Sequence, residues 1–168
     1  MLKKILHKND GITLLEVLAV VALLTTISAV TLPLVMETIN DFQEETLRSK
    51  LFKEAQKIEA QLIFVVRNST NIPDQNSFLK VTGNRYSFYS SEDQTEKFVF
   101  ELNGTSLIYY NDNFPVTLSN NVTGFFLKEE GETVKKLLYT IKLSSTVNDK
   151  NIEVKLENRY IYFPIWNY

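Results

Sequence analysis

Cysteine is absent from the 168 residues, histidine occurs once, and there are only five glycines and four prolines. Without cysteine the chain has no disulfide, thiol nucleophile or cysteine-held metal, so a head outside the cytoplasm must be held together by its core. His7 lies near the start, and beyond it neither a Ser-His-Asp or Cys-His arrangement nor a histidine metal site can be built. No glycine-rich phosphate loop occurs. The formal charge of −2 is unevenly spread. Residues 1–11 hold Lys3, Lys4 and Lys8 against Asp10, so the remainder carries −4, which argues against bulk electrostatic binding of nucleic acid.

What the chain does have is an apolar run. From Val17 to Met36 there are twenty residues without a charge, enough at about 1.5 Å per residue to cross a hydrocarbon layer roughly 30 Å thick. The basic residues ahead of it place the amino terminus in the cytoplasm by the positive-inside rule. A cleaved secretory signal would have a shorter apolar core and a small-residue cleavage site, whereas here Ser28 and Ala29 lie inside a run that continues to Pro33, Leu34 and Val35. Glu16 lies at the head of the run, where an ionisable group costs on the order of 3 kcal/mol unless paired or near the interface. An acid in that position asks for a partner.

Gly11-Ile-Thr-Leu-Leu-Glu-Val17, with its short basic leader and long apolar continuation, resembles the type III signal of type IV pilins and pseudopilins. The resemblance is specific over Lys3 to Pro33 and architectural beyond. It implies that a membrane-embedded prepilin peptidase cuts after Gly11 and methylates the new amine of Ile12, where phenylalanine or methionine is more usual. Glu16 becomes the fifth mature residue and the assembly contact, and Pro33 falls where many pilins also have proline and marks a helix kink. The implied partners are other pilin or pseudopilin subunits, the prepilin peptidase, the membrane and a pilus assembly platform; DNA has no support in the residues. The implied location is a single-pass membrane protein before assembly and a cell-surface or periplasmic filament after it.

The expected organisation is a leader at 1–11, a transmembrane or filament-core helix at 12–36 and a head at 37–168. The roughly 130 residues beyond the membrane segment suit one domain. From Leu34 to Arg67 there is neither glycine nor proline, and Leu47, Leu51, Ala55, Ile58, Leu62 and Val65 recur at three- and four-residue spacing, which predicts one buried helical stripe over 37–67. Pro33 removes one backbone hydrogen bond and should kink or loosen the helix. Asn68 to Pro73 is a breaker cluster. Beyond it the period becomes two: Tyr86–Tyr89, Lys97–Leu102, Ser106–Tyr110, Val122–Lys128, Leu137–Leu143 and Ile152–Leu156 read as strands, with Gly104 in a hairpin turn. The fold class is therefore α+β, a long amino-terminal helix packed on an antiparallel sheet of about five to seven strands over 78–163.

The head offers few chemical candidates. Glu129, Glu130 and Glu132 are weighed as paired carboxylates or a calcium site against a solvated charged turn, and the turn is preferred. Asp112 with its asparagine neighbours is weighed as an oxygen-ligand set and also read as a turn. No catalytic residue, metal ligand or cofactor is assigned, and an enzyme is disfavoured. Asn68, Asn103 and Asn121 begin Asn-x-Ser/Thr matches, read as chance occurrences. Tyr86, Phe88, Tyr89, Phe98, Phe100, Tyr109 and Tyr110 are weighed as a stacking surface for bases or sugars and read as half core, half cross-strand pairs. The apolar tail from Tyr160 to Tyr168 is read as a docked strand rather than an exposed patch.

The function expected from the resemblance is a structural subunit, a minor pilin or pseudopilin, serving DNA uptake, secretion, adhesion or motility. The size and late layout of the head are similar to minor pseudopilins of type II secretion and of competence pili. The alternative is a membrane-anchored binding module that uses its helix only as a tether.

Overall fold

The computed structural model describes residues 13–72, 77–90, 92, 94–131 and 134–163. Gly11 and Ile12, the leader lysines, Glu132 and the end of the tail from Pro164 lie outside them. The chain divides into two compact units, Met1–Phe42 and Gln43–Tyr168.

In the first unit the described residues belong to the start of α1 (Leu14–Arg67), and every one from Thr13 to Phe42 is exposed. An apolar helix exposed on all faces is built for a non-aqueous surrounding. Its polar groups are satisfied internally: the hydroxyls of Thr25 and Thr26 donate to the Ala22 carbonyl, that of Thr31 to Ile27 and that of Thr38 to Leu34. This back-bonding lets threonine sit in an apolar helix without an orphaned donor. The α1 assignment continues through Pro33.

In the second unit, α1 buries Leu51, Ala55, Ile58, Leu62, Val65 and Val66 in one core shared with the strands. The expected stripe is thus present, with Leu47 partly buried at its start. The helix ends where the breaker cluster begins. The Asn68 side chain donates to the Phe64 carbonyl at 2.7 Å and the Ser69 hydroxyl to that of Val65 at 2.6 Å, closing carbonyls that the last turn leaves open.

Among the described residues nine strands follow: β1 (Ser69–Thr70), β2 (Leu79–Thr82), β3 (Arg85–Ser90), β4 (Glu96–Asn103), β5 (Ser106–Asn111), β6 (Phe114–Ser119), β7 (Val122–Glu130), β8 (Lys136–Val147) and β9 (Lys150–Tyr162). They form two antiparallel sheets rather than the single sheet expected. The first has six strands in the order β1-β3-β4-β5-β6, with β2 also pairing β3, and the second has the order β7-β8-β9. The α+β class holds, and the strand count rises because β1, β2 and β6 carry no readable alternation. β6 is an edge strand with Pro115 in it and four exposed residues before Leu118 and Ser119, a place where proline costs no interior ladder bond.

Turn chemistry sets the hairpins. Asp112 and Asn113, between β5 and β6, and Asn148 and Asp149, between β8 and β9, all have positive φ, the left-handed pair that a two-residue hairpin demands and that Asn and Asp tolerate. Gly131 has φ 93°, and a Cβ there would stand 2.2 Å from the Val134 carbonyl oxygen, so only glycine fits.

The core is aromatic where the sheets meet. The Phe100 ring lies 5.1 Å from Tyr109 and 5.8 Å from Phe125 of the other sheet, and Tyr86 meets Phe125 edge-on at 5.3 Å. The Tyr86 hydroxyl also donates to the Phe125 carbonyl at 3.2 Å. Tyr86, Phe88, Phe98, Phe100 and Tyr109 are buried, and Tyr89 and Tyr110 are half-buried.

Candidate functional site

The residues expected to carry assembly lie at the start of α1. Gly11 and Ile12 precede the described residues. Glu16 does have a partner, and it is local: its Oε2 accepts from the Thr13 amide at 2.9 Å and the Thr13 hydroxyl at 3.1 Å, while the Glu16 amide reaches back to the Thr13 oxygen at 3.3 Å. This is a reciprocal capping box, Thr at the cap and Glu three residues on, which satisfies amides that the first turn leaves unpaired. The pattern Thr13-x-x-Glu16 was visible in the sequence, where only the charge was weighed. The hydrogen bonds satisfy the oxygen without neutralising it.

In the head, carboxylates act as fasteners, and sequence reasoning missed them. Glu54 on α1 accepts from the Ser119 hydroxyl at 2.7 Å and the Asn121 side-chain amide at 3.1 Å, holding the segment between β6 and β7 where one sheet gives way to the other. Glu59 accepts from the Tyr139 hydroxyl and, at 3.0 Å, from Arg159. Burial pushes the Tyr139 phenol up, and the hydrogen bond to Glu59 adds to that. Glu44 pairs with Lys150 at the start of β9, and Gln43 accepts from Asn148 at 3.0 Å. Four helix positions off the buried stripe, Gln43, Glu44, Glu54 and Glu59, thus hold three parts of the strand region.

Glu129 departs furthest from the reading given it. Its side chain is only 13 % exposed and lies 2.9 Å from the Lys135 ammonium. Its other oxygen accepts from the Ser77 hydroxyl and the Phe78 amide, both at 2.8 Å, and from the Leu79 amide at 3.3 Å. Burial alone would raise its pKa, but these donors outweigh it and hold the carboxyl below the usual range. The solvated turn is therefore corrected to a latch: a β7 carboxylate captures the entry to β2, while Phe78 stacks on Phe163 at 4.2 Å. Glu130 faces Lys128 and Lys136 on the surface. Asp112 sits in its hairpin turn, 3.7 Å from Lys97. Among the described residues no cluster of three or more potential metal ligands occurs.

The tail is continuous with β9. Residues 160–162 pair with β8, and the Phe163 amide donates to the Lys135 carbonyl at 3.1 Å; Pro164 to Tyr168 lie outside the described residues.

The molecule is thus an α+β protein, with one helix among the described residues, near the amino terminus, long and apolar enough to cross a membrane. Compared with family models, curated proteins and solved structures, the chain matches none.

Proposed function

We propose that the protein is a structural subunit of a type IV pilus-like filament, made as a single-pass membrane precursor and released from its leader by a prepilin peptidase. The observation that supports this most is the division of α1. From Leu14 to Met36, Glu16 is the only ionisable side chain and every residue is exposed, whereas residues 51–66 bury a stripe in a folded core. A helix of the first kind needs lipid or other such helices around it. A plain tether needs no acid in it, and Glu16 is present at the end nearest the leader.

Processing tests the reading. Expressed with a prepilin peptidase, the chain should lose residues 1–11 and carry a methylated amine on Ile12, read by intact mass and amino-terminal sequencing. An unprocessed chain in a host whose peptidase cuts its own pilins, or a cut near Ala29, would remove the proposal.

A further inference from the structure

The face of the first sheet turned away from the core carries a row that the filament reading does not use. Register places Ser87 of β3 beside Val99 of β4 and Val99 beside Tyr110 of β5. Although it lies on the outer face, Val99 is only 4 % exposed. A cavity of about 190 Å³ opens beside it, lined by Tyr110 and Asn113 and ringed by Arg85, Glu96, Lys97 and Glu101, with Val99 packed beneath.

The ring of charge is balanced, two cations against two carboxylates, and already engaged. Arg85 lies 2.8 Å from Glu96 and 3.9 Å from Glu101, while Lys97 lies 3.6 Å from Glu92 and 3.7 Å from Asp112. An anion would meet Glu96 and Glu101, and a cation would meet Arg85 and Lys97; either must break an existing pair to gain one. A nucleic acid strand would find no net positive field to hold its phosphates. A neutral ring of hydroxyls has no such conflict. Each carboxylate keeps lone pairs that a hydroxyl can donate to, and the guanidinium keeps N–H groups that a hydroxyl can accept from, with the ion pairs intact. Tyr110, half-buried, offers its ring to the C–H face of such a ligand, and polar side chains converge around it.

We propose that this cavity is a saccharide site, taking one neutral pyranose of a glycan against Tyr110 with its hydroxyls shared among Arg85, Glu96 and Glu101. The site stands apart from assembly and would serve a filament subunit and a tethered module alike.

Saturation-transfer NMR on the full chain in phosphocholine micelles, which bring no sugar of their own, tests it with methyl glycosides of glucose, galactose, mannose and N-acetylglucosamine. Transfer to the ring C–H protons of at least one is expected. Tyr110→Ala and Glu101→Ala should each weaken it about tenfold or more, and Phe126→Ser on the second sheet should leave it unchanged. Circular dichroism matching the parent qualifies each variant; if Tyr110→Ala unfolds, Glu101→Ala, at a half-buried position outside the core, carries the test. Silence across the panel, binding that survives these substitutions, or tighter binding of glucuronate than of glucose would overturn the site.

Discussion

Glu16 is hydrogen-bonded within its own helix turn, and the size of that interaction decides what is left over. A cap of this kind contributes about 1 kcal/mol, whereas a carboxylate in an apolar surrounding costs on the order of 3 kcal/mol. The cap therefore offsets only part of the cost, and a cation from elsewhere would still be favoured. On the filament reading, the amine created at Ile12 supplies one to a neighbouring subunit. Three variants separate cap from charge. Glu16→Gln keeps a side chain suited to the capping box but removes the charge, Glu16→Val removes both, and Thr13→Ala removes the cap and keeps the charge. All three should insert in the membrane. If the charge is the contact, Gln and Val should both be lost from sheared filaments while Thr13→Ala is incorporated at a reduced level; incorporation of Glu16→Gln at the parent's level would reduce Glu16 to a cap.

At the scale of elements, the sequence announced what is periodic and concealed what is not. The α1 stripe from Leu51 to Val65, and β5, β7 and β8, were legible because one face of each is buried, so burial imprints its period; β3 and β4, buried on both faces at Ser87 and Val99, were legible from their aromatic runs between turn residues. β6 was not, being an edge strand with few buried positions. β9 was only half legible. Its inward residues are Ile152, Val154 and Leu156 up to a bulge at Asn158, whose φ is 53°, and Phe163 beyond it. One extra residue moves the buried set from even to odd numbers and hides the continuity of the strand. The fasteners were illegible for another reason: helical periodicity separates polar from apolar faces but does not say which glutamate a strand will reach. Glu129 makes the sharpest test. Glu129→Ala removes the acceptor shared by the Ser77 hydroxyl, the Phe78 and Leu79 amides and the Lys135 ammonium, although Ser77 and Leu79 keep their bonds to each other, and should cost about 3 kcal/mol. Because folding lowers the Glu129 pKa, its contribution is full above the ordinary value near 4.5 and fades as pH falls through the lowered one. In urea melts between about pH 7 and pH 3, the parent should lose more stability than Glu129→Gln does. Equal losses would show that the latch carries no charge-dependent stability.

For the whole molecule, the two compact units divide at Phe42 and Gln43, and their surfaces differ in kind. From Leu14 to Phe42 the exposed large apolar residues are consecutive along one helix, while from Gln43 onward they are scattered, Phe52 and Phe64 on α1, Phe114 on β6, Phe126 on β7 and Tyr162 on β9. Scattered apolar residues are ordinary on a soluble surface; a continuous run is not. The remaining stretch of α1 has its stripe covered by both sheets, and Glu44, Glu54 and Glu59 hold it to them. A chain beginning at Gln43 should therefore be soluble and monomeric in sedimentation. Its circular dichroism should show helix and strand together, because its core does not draw on the apolar segment. It should unfold in one cooperative step, since Phe100, Tyr86 and Phe125 join the two sheets in a single core. A predominantly helical spectrum would overturn the sheets. Two separate transitions would show that the sheets fold independently and that the Glu129 and Glu54 fasteners are decoration. Aggregation of this chain and of its near neighbours in length would mean that the scattered aromatics need a second subunit to cover them, making the head an obligate partner in assembly rather than a domain displayed by it.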